Sequence, residues 1–430
     1  MKGEVWITGV GIVSSIGVGA EAFWTGALAG RSGGRALEHP NLDLAELGTR
    51  VAAPVTGFDP EAHHVPRREA RVLDPVSQFA LAAAHEAVLD AGLEPECIQP
   101  RKGYYRLSGV SPEATMVNIG TGIGGLTTMV SNVSAWLTHH RRTACKRYAV
   151  PMIIPNAPAA VVAIRFQARG ACRAVNGACA SGSMAIGEGA QALARGEADV
   201  AICGASDAIL ADPELFGLLG FDLLKTMTRR NHEPTRASRP FDRDRDGYLL
   251  SEGAAVVVLE RAEFARARGV RPYARVAGYG ATCDARSILQ IDPEGTQVAR
   301  AMALALEDGG LTPEDVDHVA AHGIATVEND RVETRAIRQV FGAHADRLAV
   351  SSIKSMTGHP VGAAGAMSTV AAALAMTHRV VPPTINLEHP DPACDLDYVP
   401  GTARSMEVRA ALVNAFGFGG HNACLVLTSP

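Results

Sequence analysis

Several absences narrow what this 430-residue chain can be. No uninterrupted apolar run approaches the ~18 residues that a bilayer-crossing helix needs. The amino terminus, Met1 to Gly9, opens directly on a strand pattern and carries no signal-peptide pattern. There is no basic excess: 40 Lys and Arg against 45 Asp and Glu leave a net charge of −5, which argues against nucleic acid or a membrane surface as partner. The 8 cysteines lack paired metal-type spacing, so neither a metal site nor a disulfide framework is expected, and a reducing compartment is. No low-complexity segment or linker interrupts the chain. Thr121-Gly-Ile-Gly-Gly125 follows a strand, but no nucleotide fingerprint completes it, and close backbone packing accounts for it better. A cytoplasmic protein with a large core remains, since 47% of the residues are apolar.

Strands alternate with helices in both halves. Glu4 to Val13 reads as a strand, and Asp74-Pro75 as the cap and first residue of a helix from Val76 to Asp90, closed by Gly92. Met116–Gly120, Asp199–Gly204 and Ala254–Leu259 are buried strands. The later half repeats the alternation, with strands at Tyr273–Tyr279, Val316–His322, Leu348–Ser351, Ala410–Asn414 and Ala423–Leu427, and helices at Gln297–Glu307 and Gly362–Met376. Such alternation predicts buried sheets covered by helices. Residues 96–113 read as an irregular loop. The charged run Arg239 to Gly247 reads, by itself, as a solvated turn. No clear internal repeat is visible.

The most informative stretch is Val175-Asn-Gly-Ala-Cys179-Ala-Ser-Gly-Ser183, which runs into a helix stopped at Gly196. It puts Cys179 on a tight turn at a helix mouth, where unpaired N–H groups and the helix dipole favour a thiolate. A buried structural cysteine is the plainer reading, and it suits the other seven. Three further stretches strengthen the case for Cys179: His322 after a strand, Lys354 and His359 in Lys354-Ser-Met-Thr-Gly-His359, and the loop Asn414-Ala-Phe-Gly-Phe418-Gly-Gly420. Two histidines and a lysine beside glycine turns, with a cysteine on an exposed turn, suit nucleophilic catalysis.

These stretches resemble, in order and nearly end to end, the β-ketoacyl-[acyl-carrier-protein] synthases, the condensing enzymes of fatty-acid and type II polyketide synthesis. The motifs that carry the resemblance are Ala178-Cys179-Ala-Ser-Gly182, Ala321-His322-Gly323 with Asn329-Asp330 and Glu333-Thr334, Lys354 to His359, and Gly417-Phe418-Gly-Gly420. The run Arg239 to Gly247 with Glu252-Gly253, and Cys394 to Pro400, are similar too. The resemblance implies an α/β, thiolase-like five-layer αβαβα fold of two similar halves, 1–265 with the cysteine and 266–430 with both histidines. It implies a homodimer, or a heterodimer with a related ketosynthase, and an acyl carrier protein as partner. No resident cofactor or metal is implied, because phosphopantetheine arrives on the carrier.

By the same resemblance Cys179 takes up the acyl chain as a thioester, and His322 and His359 stabilise the enolate of decarboxylated malonyl. Lys354 holds the network around His322. Phe418 gates the pocket and shares an oxyanion hole with the Cys179 N–H. Ile123, Leu289, Ile324, Thr326 and Ser368 would bind substrate, and Arg67, Arg68, Arg71 and Arg230 would dock the carrier.

The departures cluster on the donor side. Ile324 stands where the family usually has Thr or Ser, Ser368 where it has Glu, and His421 where it has Thr. A family His and a pantetheine-binding Thr become Ser287 and Leu289. Aliphatic residues at two polar positions remove hydrogen bonds worth about 0.5–1.5 kcal/mol each. They point to a specialised polyketide-type pathway. Two alternatives stay open: cyclisation or transfer of a bound chain without decarboxylation, and, more remotely, a non-catalytic chain-length partner.

Overall fold

The computed structural model describes residues 3–100 and 103–430. Met1 and Lys2 of the expected opening stretch, and Arg101 and Lys102 of the expected loop, lie outside the described residues. Ten strands form the path of an 11-stranded sheet. They are β1 (Val5–Ser14), β2 (Thr115–Gly120), β3 (Cys172–Val175), β4 (Val200–Asp207), β5 (Gly253–Arg261), β6 (Ala274–Cys283), β7 (His318–Ala320), β8 (Ala349–Ser351), β9 (Ala410–Gly417) and β10 (His421–Thr428). Their order is β8-β7-β9-β10-β6-β1-β5-β4-β2-β3. The outer pairs on each side are parallel and the inner ones antiparallel, so each half repeats the other. The half-sheets meet where β1 pairs with β6, through Trp6↔Arg275 and Ile7↔Ala274.

Among the helices of the remaining layers are α1 (Pro75–Asp90), α2 (Ser181–Ala194), α3 (Thr296–Gly309), α4 (Val327–Phe341) and α5 (Ala364–His378). α1 covers one outer face and α3 with α4 the other, while α2 and α5 pack between the half-sheets. Val361–His378 is apolar and long enough to cross a membrane, but 89% of it is buried inside the protein.

The halves repeat in detail. Gly9 and Gly11 of β1 lie so close to α1 that added Cβ atoms would sit 2.1 Å from Ala87 O and 2.0 Å from Ala83 O. Gly278 and Gly280 of β6 meet α3 in the same way, at 2.0 Å from Ala305 O and 2.2 Å from Ala301 O. Between each glycine pair one N–H donates to a helix aspartate: Val10 to Asp90 and Tyr279 to Asp308. Both strands bulge at the same step. The structure therefore aligns Asp90-Ala-Gly-Leu-Glu-Pro-Glu96 with Asp308-Gly-Gly-Leu-Thr-Pro-Glu314, a repeat that composition and periodicity hid.

Two sequence expectations fail. The stretch expected as an irregular loop holds a hairpin, Pro95–Gln99 against Tyr104–Leu107. The run Arg239 to Gly247 is not a solvated turn. Arg239, Asp242 and Arg245 are buried, and Arg245 pairs with Asp330 at 3.4 Å and Asp391 at 2.9 Å. A charged run whose partners lie far along the chain reads as exposed until those partners are located.

Candidate active site

Cys179 lies between β3 and α2, on a turn whose preceding residue, Ala178, takes a left-handed φ of 50°. Ser181 Oγ ties this turn together, donating to Ala178 O at 2.6 Å and accepting Gly177 N–H at 3.0 Å. Helix α2 thus starts just beyond a buried sulfur. His359 is delivered by the turn after β8, and its Nε2 lies 3.1 Å from Cys179 Sγ. His322, at the end of β7, sets its ring perpendicular to that of His359 with centroids 5.5 Å apart. The backbone N–H groups of Phe418 and of Cys179 itself lie close enough to favour a charged sulfur.

Close packing of the Phe418 loop against the cysteine turn makes this possible. A Cβ on Gly417 would sit 2.7 Å from Gly177 O and 2.9 Å from the Cys179 nitrogen. Phe418 is half-buried, its ring 6.5 Å from that of Phe221. Gly419 N–H donates to Ile288 O at 2.9 Å and Asp284 N–H to Gly420 O at 2.9 Å, which ties this loop to the segment 284–292.

Buried charge positions His322. Glu333 on α4 accepts the N–H groups of His322 and Gly323 at 2.8 and 2.7 Å, and Asn414 Nδ2 at 2.9 Å. Lys354 Nζ reaches Ala321 O, one residue before His322, at 3.5 Å. Arg245 donates to Thr326 O and Val327 O at 3.0 and 2.9 Å, pinning the start of α4.

The electrostatics differ from the sequence expectation of a ready thiolate. Burial pushes the Cys179 thiol up to about 12, assisted by the nearby Asp207 charge and opposed by Lys354 and the two N–H groups. Burial and Lys354 hold His359 down to about 3. His322 falls well below its ordinary value, through burial and then Lys354 and His359. Burial also lowers Lys354 to about 8, although Glu333, Cys179 and Asp330 favour its charged form. At neutral pH the pair is a thiol beside a neutral imidazole, because desolvation outweighs the helix terminus.

Among the substrate-binding candidates, Ile123 and Ile324 pack into the apolar cluster that contains Cys179, with Leu126, Ile209, Leu218, Phe221 and Val361. Leu289 instead sits on the 284–292 segment, half-buried, its N–H on Ser287 Oγ. Thr326 Oγ1 accepts Asn329 N–H at 3.3 Å as the cap of α4. Ser368 is buried in α5 beside a void of about 10 Å³ lined by His318, Ala320 and Ser351, outside the Cys179 cluster. His421, half-buried, flanks Gly419 and Gly177.

Arg67, Arg68 and Arg71 are exposed, and Arg67 pairs with Glu61 at 2.8 Å. Arg230 turns back onto its own loop, donating to Asp244 O at 2.8 Å with Glu233 at 3.6 Å, so it is not a free docking cation. Asp242, Asp244 and His389 have ligand atoms within 4.8 Å of one another. Asp242 is, however, engaged by Arg239 and by the N–H groups of Asp244, Glu388 and His389. The sequence reading missed Asp207 and Tyr248; the Tyr248 ring stands edge-on to His359 at 5.4 Å.

The sequence matches the family of beta-ketoacyl synthases: the N-terminal domain over residues 2–265 and the C-terminal domain over residues 273–388. The chain belongs to the β-ketoacyl synthase family. It is 40% identical to the 3-oxoacyl-[acyl-carrier-protein] synthase 2 of Synechocystis over 99% of this chain and 97% of the relative. A solved chain from the ishigamide ketosynthase/chain length factor superposes with a TM-score of 0.86 at 34% identity, over 100% of both chains. Another, from a complex of a type II PKS acyl-carrier protein with its ketosynthase bound to the hexaketide, gives 0.88 at 29% identity, again over 100% of both. The five layers are therefore the thiolase-like fold of this family, and the protein is a condensing acyltransferase.

Proposed function

We propose that this β-ketoacyl synthase extends acyl chains held on a carrier protein by decarboxylative Claisen condensation, through a thioester on Cys179, in a polyketide-type pathway. The observation that carries this reading is the Cys179 sulfur, 3.1 Å from His359 Nε2, with the N–H groups of Cys179 and Phe418 close to it.

In the first half-reaction the thiol proton moves to His359 Nε2 as sulfur attacks the acyl thioester carbonyl. The two N–H groups hold the resulting oxyanion, where aimed donors lower barriers most. The carbonyl carbon–sulfur bond to pantetheine then breaks, and the departing thiolate takes a proton. In the second, the bond from malonyl carbon to its carboxylate breaks and carbon dioxide leaves. The electron pair forms an enolate whose oxygen accepts hydrogen bonds from His322 and His359. Neutral imidazoles can supply one N–H each, which fits their depressed pKa values. The enolate carbon attacks the acyl-enzyme, a carbon–carbon bond forms, and the Cys179 thiolate leaves and takes up a proton from solvent, its first having gone to the pantetheine thiol.

Ile123, Ile324, Phe221 and Leu218 belong to the apolar cluster that contains Cys179, which suits a chain read by shape. Phosphopantetheine enters on the carrier protein. Arg68 and Arg71, exposed and without ion pairs among the described residues, are the steering candidates that remain. A second ketosynthase chain, another copy or a related one, would cover exposed apolar residues such as Val133, Trp136, Leu137, Val150 and Ile164. The relatives are condensing enzymes, so transfer without decarboxylation is not favoured.

The test pairs acyl and malonyl carrier proteins and follows carbon dioxide and product mass together. Equimolar carbon dioxide and extended product are expected, both lost in His322→Ala. Product formed without carbon dioxide would contradict the reading.

A further inference from the structure

Strand β4 ends on Asp207, whose carboxylate is fully buried. Its Oδ1 accepts Thr121 Oγ1 at 2.9 Å and the Ile123 N–H at 3.2 Å. Its Oδ2 accepts the N–H groups of Gly122 at 2.8 Å and Gly362 at 2.7 Å. Three of these donors belong to the turn after β2, and the fourth belongs to the turn that follows His359.

The first turn is itself bonded to the cysteine turn. Asn176 Nδ2 donates to Gly122 O at 3.2 Å, and Ser181 Oγ, which closes the Cys179 turn, reaches Thr121 O at 3.3 Å. One carboxylate thus links the segment carrying the sulfur to the segment carrying its imidazole. The fit is tight, because a Cβ on Gly362 would lie 2.6 Å from Asp207 Oδ2. Burial lifts the Asp207 carboxyl to about 6 against the pull of these neutral donors, so it carries a negative charge at neutral pH.

We infer that Asp207 is a positioning residue of the condensation, fixing the Cys179 turn against the His359 turn. This rests on the reading of Cys179 as nucleophile. The ionisable groups facing the sulfur are Asp207, Lys354, His359 and Tyr248, with His322 behind His359. Asp207 opposes the thiolate and Lys354 favours it. Removing the Asp207 charge makes the thiol more acidic while loosening the geometry that uses it. A variant can then react faster with a simple alkylating agent and still catalyse more slowly, a pairing that general damage to the fold does not produce.

The experiment measures alkylation of Cys179 by iodoacetamide against pH, by peptide mass, beside kcat and KM for carrier-bound substrates. It compares the full chain with Asp207→Asn and Thr121→Val. Asp207→Asn is expected to shift the alkylation curve to lower pH, with kcat reduced about tenfold or more and KM unchanged, as for a misplaced reacting pair. Thr121→Val removes one donor but no charge, so it should lower kcat and leave the alkylation curve in place. An unchanged kcat in Asp207→Asn, or alkylation and kcat falling together with thermal stability, overturns the inference. An acyl adduct taken from the carrier protein by another cysteine in the wild type would instead remove the nucleophile reading beneath it.

Discussion

Cys179 stands out in the sequence as the candidate nucleophile from its turn and from the helix behind it, but its charge state is not legible there. Whether a helix-mouth thiol ionises depends on how far it is desolvated, and the residues that desolvate Cys179 are scattered from Leu126 to Val361. Alkylation of the resting enzyme should therefore keep accelerating with pH well past the ordinary thiol range near about 8.5, instead of levelling off below it. A plateau near neutrality would show that the thiolate is preformed. Stability carries the complementary signature. His359 titrates at about 3 in the folded chain, against about 6.5 unfolded. The folded state therefore binds fewer protons between those values. The contribution of His359 is complete above about pH 6.5 and is lost as pH falls towards about 3. Denaturant unfolding across acid pH should give a shallower decline in His359→Gln than in the wild type, and equal slopes would contradict the shift.

At the scale of elements, the devices written in neighbouring residues could be read and those assembled at a distance could not. Asp74 caps α1 by accepting Val76 N–H at 3.0 Å, as Asp74-Pro75 announced. The role of Glu333 is not local, yet α4 signals it, since Asp330 and Glu333 share the buried face with Ile337. Arg245 shows the opposite case, because Asp330 and Asp391 lie 85 and 146 residues further along. Arg245→Met would leave Asp330 buried without its cation, while Asp391 keeps Arg331, and should cost about 3–5 kcal/mol in denaturant unfolding. Gly417 is a local necessity of another kind. Gly417→Ala should displace the Phe418 loop and lower kcat by about 10²-fold, the loss typical when an oxyanion donor is removed. Unchanged kcat in that variant would show that the loop does not supply such a donor.

The whole molecule is a duplicated unit whose two copies meet at β1 and β6. Its repeat was present in the sequence as Gly-x-Gly strands followed by Asp-x-Gly-Leu-x-Pro-Glu, too sparse to register without the superposition that the sheet provides. Asp308→Ala strands the Tyr279 N–H just as Asp90→Ala strands that of Val10. Each should destabilise by about 1–3 kcal/mol, and the two effects should add. Carrier docking also belongs to this scale. Arg68→Glu with Arg71→Glu should slow loading from an acyl carrier protein while sparing a small thioester mimic, with a weaker effect at high salt. Equal loss with both donors would remove these arginines from the docking surface.

Everything above the fold depends on Cys179 carrying the chain. Intact-mass spectrometry after incubation with an acyl carrier protein measures that directly. The wild type is expected to gain one acyl mass on Cys179 and to lose it, with release of carbon dioxide, when malonyl carrier protein is added. Cys179→Ala should gain nothing. An adduct that persists in Cys179→Ala, or one that malonyl carrier protein cannot discharge, would contradict the account.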